Sequence, residues 1–85
     1  MAVIVLPALL AEQAGGRRRF ETEASSLGQA LRALPVADLL FDESGALRPL
    51  VNVYVDGEDC RELRRLETPL TGAETVRVVA AVAGG

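Results

Sequence analysis

The sequence predicts one α+β domain in which a mixed sheet of about four or five strands packs on one main helix. The chain has 85 residues, enough for a single hydrophobic core. Apolar residues make up 49% of it and charged residues 25%, which is typical of a globular chain. Apolar runs with strand character stand on both sides of a segment whose leucines recur at helical spacing. These three observations together indicate a sheet wrapped around a helix.

The first quarter of the chain predicts a strand, a helical turn and a second strand. Residues 2–6 are apolar and mostly β-branched, and Pro7 ends the run. Residues 8–14 have mild helical character and stop at a Gly-Gly turn signal. Residues 17–23 predict a short exposed strand that pairs back as a hairpin. Its arginine run fits a charged edge that discourages aggregation, and a contact with phosphate or an acidic partner is the alternative.

The main helix is predicted to begin at Ser26. Ser26 and Gln29 have the spacing of a capping box, in which each end of the pair satisfies backbone groups at the start of a helix. The apolar stripe that follows consists of Leu27, Ala30, Leu31 and Leu34. Pro35 ends this pattern, and residues 36–41 predict a further helical turn or two.

The second half of the chain predicts three strands. In residues 50–55, Val51, Val53 and Val55 point one way, while Asn52 and Tyr54 point the other. Asp56 and Gly57 form a tight-turn pair, and residues 58–61 predict a short strand. An irregular segment up to residue 69 and a turn at residues 71–74 lead into the last strand, residues 75–82. This order of elements is that of a β-grasp fold.

Composition excludes several classes of function. The chain has no histidine and a single cysteine, Cys60, which argues against histidine-based catalysis and a Cys/His zinc site. A lone thiol near a turn is more often inert than sulfur-bearing. It also forms no disulfide within the chain, which is consistent with a reducing cytoplasm. The net charge of −3 argues against nucleic acid or an anionic membrane as the main partner.

Two further features narrow the possibilities. No apolar run approaches the roughly 18 residues of a membrane-spanning helix, and the first apolar stretch is too short for a secretory signal. All nine basic residues are arginine. The chain therefore offers no lysine side chain as an acceptor for its own carboxyl end, and only its N-terminal amine remains.

The sequence closes with a segment that is poor structural material. Its residues are Ala81, Val82, Ala83, Gly84 and Gly85. Glycine loses the most backbone freedom on ordering and has no side chain to pack. Five residues reach roughly 17 Å, which suits a slim tether threaded into a narrow partner site. We expect residues 1–80 to form the domain and residues 81–85 a flexible tail that offers a reactive carboxylate. Simple fraying of a chain end is the alternative.

The sheet face turned away from the helix is the predicted docking surface. If Val3, Val5, Val76 and Val78 point inwards by strand alternation, Ile4, Arg77 and Val79 point outwards. The last strand of a β-grasp lies between the first and the third, so Ile4, Val79 and Tyr54 would form one exposed apolar patch. Such patches usually mark interaction surfaces, although single exposed apolar residues are common.

Residues 51–59, residues 66–70, residues 72–82 and the Val-Ala-Gly-Gly end resemble the ThiS/MoaD family of ubiquitin-like sulfur carriers, most closely its CysO-type members. The resemblance is weaker between residues 15 and 49. The resemblance implies that Gly85 is adenylated and converted to a thiocarboxylate. It also implies that Gly84 lets the tail thread into the narrow site of a partner. Arg64-Arg65, Ala73 and Ala80-Ala81 depart from the family pattern and leave the partner's identity open.

The resemblance also implies partners. An E1-like (MoeB/ThiF-type) adenylyltransferase would use ATP, and the chain would bind no cofactor and catalyse no reaction itself. The sulfur acceptor would be a PLP-dependent cysteine synthase, with a zinc-dependent peptidase that releases cysteine, or a thiosugar or other sulfur-metabolite synthase. Two alternatives remain. One is a MoaD-like small subunit of molybdopterin synthase, and the other is a ubiquitin-like protein modifier.

Overall fold

The computed structural model describes residues 1–80. Five strands form one mixed sheet: β1 (Ala2–Val5), β2 (Arg19–Thr22), β3 (Val51–Val55), β4 (Glu58–Asp59) and β5 (Thr75–Ala80). Three short helices, α1 (Ala8–Gln13), α2 (Leu27–Arg32) and α3 (Ala37–Leu40), and two 3₁₀ turns, Cys60–Glu62 and Arg65–Glu67, complete the described part. The predicted α+β class is confirmed, and the main predicted helix is α2 followed by α3.

The strand order is β2-β1-β5-β3-β4, which is that of a β-grasp. β1 and β5 run parallel, and the other neighbouring pairs are antiparallel. The last strand therefore lies between the first and the third, as predicted. A parallel pair needs a crossover between its strands, and the helices lie within the chain that makes this crossover.

α2 begins where the capping pattern predicts, with one difference in its hydrogen bonds. Ser26 Oγ accepts a hydrogen bond from the backbone N–H of Gln29 at 3.3 Å. The reciprocal bonds go to the residue before the cap, because Gln29 Oε1 accepts from the N–H of Ser25 at 3.3 Å and from its hydroxyl at 3.0 Å. The start of α2 is also tied to a distant segment, since the N–H of Leu27 donates to the carbonyl of Thr68 at 2.9 Å.

The core lies between the inner face of the sheet and the helices. Its largest fully buried side chains are Ile4, Leu6, Leu27, Leu31, Val36, Leu40, Val53, Val76 and Val78. The helical stripe predicted from leucine spacing is buried throughout. In the described residues 1–80, every helix is too short to cross a membrane.

The turns at the β3–β4 end follow from the chemistry of their residues. Asp56 and Gly57 both have positive φ, 50° and 85°, as a tight two-residue hairpin requires. Asp56 Oδ1 also accepts a hydrogen bond from the N–H of Thr75 at 2.9 Å. This bond joins the hairpin to the start of β5 and helps to fix the register of the central strands.

Candidate functional site

The outer face of the sheet, the one turned away from the helices, is the candidate site. By strand alternation it carries Val3 and Val5 of β1, Asn52 and Tyr54 of β3, and Thr75, Arg77 and Val79 of β5. We use the name outer face for these seven residues. The backbone register sets their neighbours, with Arg77 between Val5 and Tyr54, and Val79 beside Asn52.

Of the five residues predicted to point outwards, the structure confirms the orientation of four: Asn52, Tyr54, Arg77 and Val79. Arg77 and Val79 are exposed, and Val79 exposes 39% of its surface. Tyr54 is half-buried on the same face. Val76 and Val78 point into the core, as predicted.

The prediction for Ile4 is wrong. Ile4 is only 1% exposed and faces the core, paired in the sheet with the buried Val76. Val3 and Val5 are half-buried and occupy the outer face instead. β1 is apolar at every position, so no polar residue marks its outer side. Ala2 and Ile4 face the core, and Val3 and Val5 remain on the outer side.

The chemistry of the outer face suits protein recognition. Valine side chains and the tyrosine ring provide apolar contact area, with a polar handle on the tyrosine. In the described residues 1–80, the guanidinium of Arg77 forms no ion pair or hydrogen bond. It is therefore a charge that a partner's carboxylate can reach without displacing an internal contact.

The side of the outer face next to β4 is held by a polar network. Arg61 Nη2 donates to Asn52 Oδ1 at 3.0 Å and pairs with Asp59 Oδ2 at 2.8 Å. Hydrogen bonds from Arg61 lower the pKa of Asp59, so its carboxylate stays charged at neutral pH. This network fixes the Asn52 side chain beside Val79.

Reactive side chains are scarce in the described part of the chain. No group of three or more His, Cys, Asp or Glu residues among residues 1–80 is placed to hold a metal ion. Cys60 is 3% exposed, and burial raises the pKa of its thiol. A buried thiol with a raised pKa forms little thiolate at neutral pH, which favours the inert interpretation of Cys60.

The predicted tail residues Ala81, Val82, Ala83, Gly84 and Gly85 lie outside the described residues. The last described position, Ala80, pairs with Val51 at the beginning of β3. Val79 precedes it on the outer face. The outer face therefore reaches, along the chain, to within two residues of the predicted tail.

Sequence reasoning missed the role of Glu74 just before β5. Its carboxylate accepts hydrogen bonds from the N–H groups of Thr71, Gly72 and Ala73, at 2.9 to 3.1 Å, and from the Thr71 hydroxyl at 2.9 Å. A threonine followed three residues later by a glutamate has the spacing of a capping box, and that signal was present in the sequence. The carboxylate closes the loop that sets the start of β5.

Replacing Glu74 by glutamine is expected to make the protein less stable at neutral pH. Hydrogen bonds lower the pKa of Glu74 from 4.5 to about 2, and the bond from the backbone N–H of Thr71 has the largest effect. Because the folded pKa lies below the unfolded one, the stabilisation is complete above about pH 4.5 and is lost as the pH falls towards 2. Thermal unfolding midpoints measured across this range should show the gap between the two proteins closing at low pH. Glu43→Gln, in an exposed loop, is the control, and a gap that stays constant with pH would contradict the assignment.

The comparisons with known proteins agree with the β-grasp fold. The family model described as the ThiS family matches residues 4–85. The sulfur carrier protein CysO of Mycobacterium tuberculosis (strain ATCC 25618 / H37Rv) is 30% identical over 89 aligned positions, which cover 96% of each chain.

Two solved structures are also similar. The crystal structure of Mycobacterium tuberculosis CysO has a TM-score of 0.83 and 26% identity, and covers 96% of this chain and 100% of that chain. The small archaeal modifier protein 1 of Haloferax volcanii has a TM-score of 0.77 and 27% identity, with 99% of this chain and 98% of that one covered. Both likenesses extend over essentially the whole domain.

Proposed function

The chain belongs to the ThiS family, and on that premise we propose that it is a sulfur carrier of the CysO type whose Gly85 carries the sulfur. The observation that carries the proposal is the extent of the match. The family model runs to residue 85 and so includes Gly84 and Gly85. A relative named as a sulfur carrier aligns over 96% of the chain. In this role the chain is a protein cosubstrate rather than an enzyme.

The proposed chemistry has two steps, both in the site of an E1-like partner. A carboxylate oxygen of Gly85 attacks the α-phosphorus of ATP, and pyrophosphate leaves. A sulfide then attacks the acyl carbon, and AMP leaves. If the donor is a persulfide, an acyl disulfide forms first, and a second thiol of the partner attacks its S–S bond, leaves as a disulfide with the donor and releases the thiocarboxylate. The product is a thiocarboxylate, a soft nucleophile on a slim tether. The partner supplies the acid, base and metal, so the carrier needs no histidine.

For the sulfur acceptor we propose two classes of enzyme. The thiocarboxylate sulfur would add to an aminoacrylate on a PLP-dependent cysteine synthase, and a zinc-dependent peptidase would release cysteine. A sulfur-metabolite synthase such as a thiosugar synthase is the other acceptor class. We place the protein in the cytoplasm, where its unpaired thiol and the thiocarboxylate would both stay reduced.

Partner docking is proposed on the outer face. Tyr54, Arg77 and Val79 from the original prediction remain, and Val5 takes the place of Ile4. Support comes from the register, which puts Val5, Arg77 and Tyr54 in one row across three strands. A partner that covers this row also covers Val79, just before the predicted tail.

The direct test is the intact mass of the protein after incubation with ATP, an E1-like enzyme and sulfide. We expect a mass change equal to the exchange of one oxygen for one sulfur, only when ATP is present. A chain that lacks Gly85 is the control and should show no change. Sulfur incorporation without ATP, or with Gly85 absent, would contradict the proposal.

A second candidate function is protein modification. It is favoured by the similarity to the small archaeal modifier protein 1 of Haloferax volcanii, at 27% identity over nearly the whole chain. Both functions would begin with activation of Gly85, and they differ in the product. Adducts that join Gly85 to lysine side chains of other proteins in a cell extract would indicate a modifier. Their absence alongside a thiocarboxylate would indicate a carrier.

A further inference from the structure

A cavity beside the start of β3 is unexplained by the sulfur chemistry. It has a volume of about 350 Å³ and lies between residues 46–49 and the segment that contains the two 3₁₀ turns. The side chains of Leu47, Val51, Val53, Cys60 and Leu66 give it apolar walls, and all five belong to or pack against the core. The volume is within the range of natural ligand sites.

Positive charge dominates the polar part of this cavity. Four arginines line it, against the two carboxylates of Asp59 and Glu67. We call it the arginine cavity, after Arg48, Arg61, Arg64 and Arg65. Arg61 is already paired with Asp59. The guanidinium groups of Arg64 and Arg65 form no ion pair or hydrogen bond within residues 1–80, so they remain available to an anion.

Arg65 stands in a backbone conformation that disfavours it. Its φ is +54°, in the left-handed region where a side chain is strained and glycine is not. The loop imposes this geometry through the buried Thr68, whose hydroxyl donates to the carbonyl of Arg65 at 2.7 Å and accepts from the N–H of Arg64 at 3.1 Å. The fold therefore bears the strain of an arginine whose side chain makes no internal hydrogen bond. Such strain is often found at functional positions.

The arginine cavity is continuous with the outer face. Asn52 lines the cavity and also lies on the outer face, where it neighbours Val79. Its side chain is held by Arg61, which lines the cavity as well. A protein bound across the outer face can therefore contact the arginine cavity at the same time.

We propose that the arginine cavity binds an acidic segment of a partner protein. An apolar side chain of that segment would enter the cavity, and carboxylates beside it would pair with Arg64 and Arg65. Charge complementarity favours this occupant, since the cavity combines an apolar interior with guanidinium groups that have no internal partner. The interaction is independent of Gly85 and of sulfur transfer, so it would select partners rather than take part in chemistry.

The test uses the full chain labelled with ¹⁵N and a capped peptide that alternates glutamate and leucine. We expect amide shifts at the arginine cavity, centred on Cys60 and Arg65, and binding that weakens as salt is added. Arg64→Ala combined with Arg65→Gly should weaken binding by about tenfold or more. Thermal unfolding should stay close to that of the parent chain, because glycine is compatible with the φ of residue 65.

The matched control removes two arginines elsewhere. Arg17→Ala with Arg19→Ala makes the same change in net charge near the β2 edge and should alter binding by less than about twofold. Equal weakening in both double variants would reduce the effect to general charge and overturn the proposal. So would an absence of shifts at Cys60 and Arg65 with the peptide. Shifts there on removal of residues 81–85, without peptide, would assign the cavity to this chain's own end and also overturn it.

Discussion

Replacing Val79 by aspartate is expected to lower the rate of activation by the E1-like partner at least about tenfold, while the variant stays folded. Val79 lies on the outer face and exposes 39% of its surface, so a carboxylate there stays hydrated in the free protein. In the complex the same carboxylate would be buried against the partner, and its desolvation would weaken binding. Pyrophosphate release at a range of carrier concentrations measures this loss.

The control for Val79 is an equally drastic change away from the outer face. Leu9 lies on α1 and is 55% exposed, and Leu9→Asp introduces the same charge. We expect activation of this variant to change by less than about twofold, because a distant surface charge acts weakly through solvent. Similar losses in both variants, or none in Val79→Asp, would show that the outer face does not bind the activating partner.

Replacing Ile4 by alanine is expected to destabilise the fold by about 2–5 kcal/mol, through lost burial and the cavity left behind. Ile4 of β1 is 1% exposed, and its side chain packs in the core beside Val76 of β5. Val5→Ala is the matched control on the neighbouring position of the same strand, which is only half-buried. Val5→Ala should lower the free energy of unfolding by about 1 kcal/mol, which is the size of strand-propensity effects. Urea unfolding of the two variants measures both values.

This pair also decides between the two orientations of β1. If Ile4→Ala left stability unchanged and slowed activation instead, the original outward prediction for Ile4 would be restored. The structure predicts the opposite pattern. Any effect on docking should come from Val5→Ala, and the effect on stability from Ile4→Ala.

Much of the fold could be predicted because polar residues mark one side of its elements. In β3, Asn52 and Tyr54 alternate with valines, so the inner and outer faces were distinguishable. The stripe on α2 was visible from leucine spacing, and Ser26 marked its start. β1 has no polar residue between Ala2 and Val5, and its orientation depends on the partner strands. That is why the prediction failed at Ile4 and succeeded at Val79.

Features that depend on backbone conformation or on distant contacts were not predictable in this way. The left-handed φ of Arg65 arises from hydrogen bonds to Thr68 that only the folded loop creates. The arginine cavity joins residues 46–53 to residues 59–67, and no local pattern brings their side chains together.

The most direct measurement locates the transferred sulfur within the chain. After activation with ATP, the E1-like enzyme and sulfide, fragmentation of the loaded protein in the mass spectrometer should place the sulfur at Gly85. A Cys60→Ser variant should load to the same extent as the parent chain, and a chain without Gly85 should not load at all. Sulfur found on Cys60, or loading abolished by Cys60→Ser while the variant stays folded, would contradict the account.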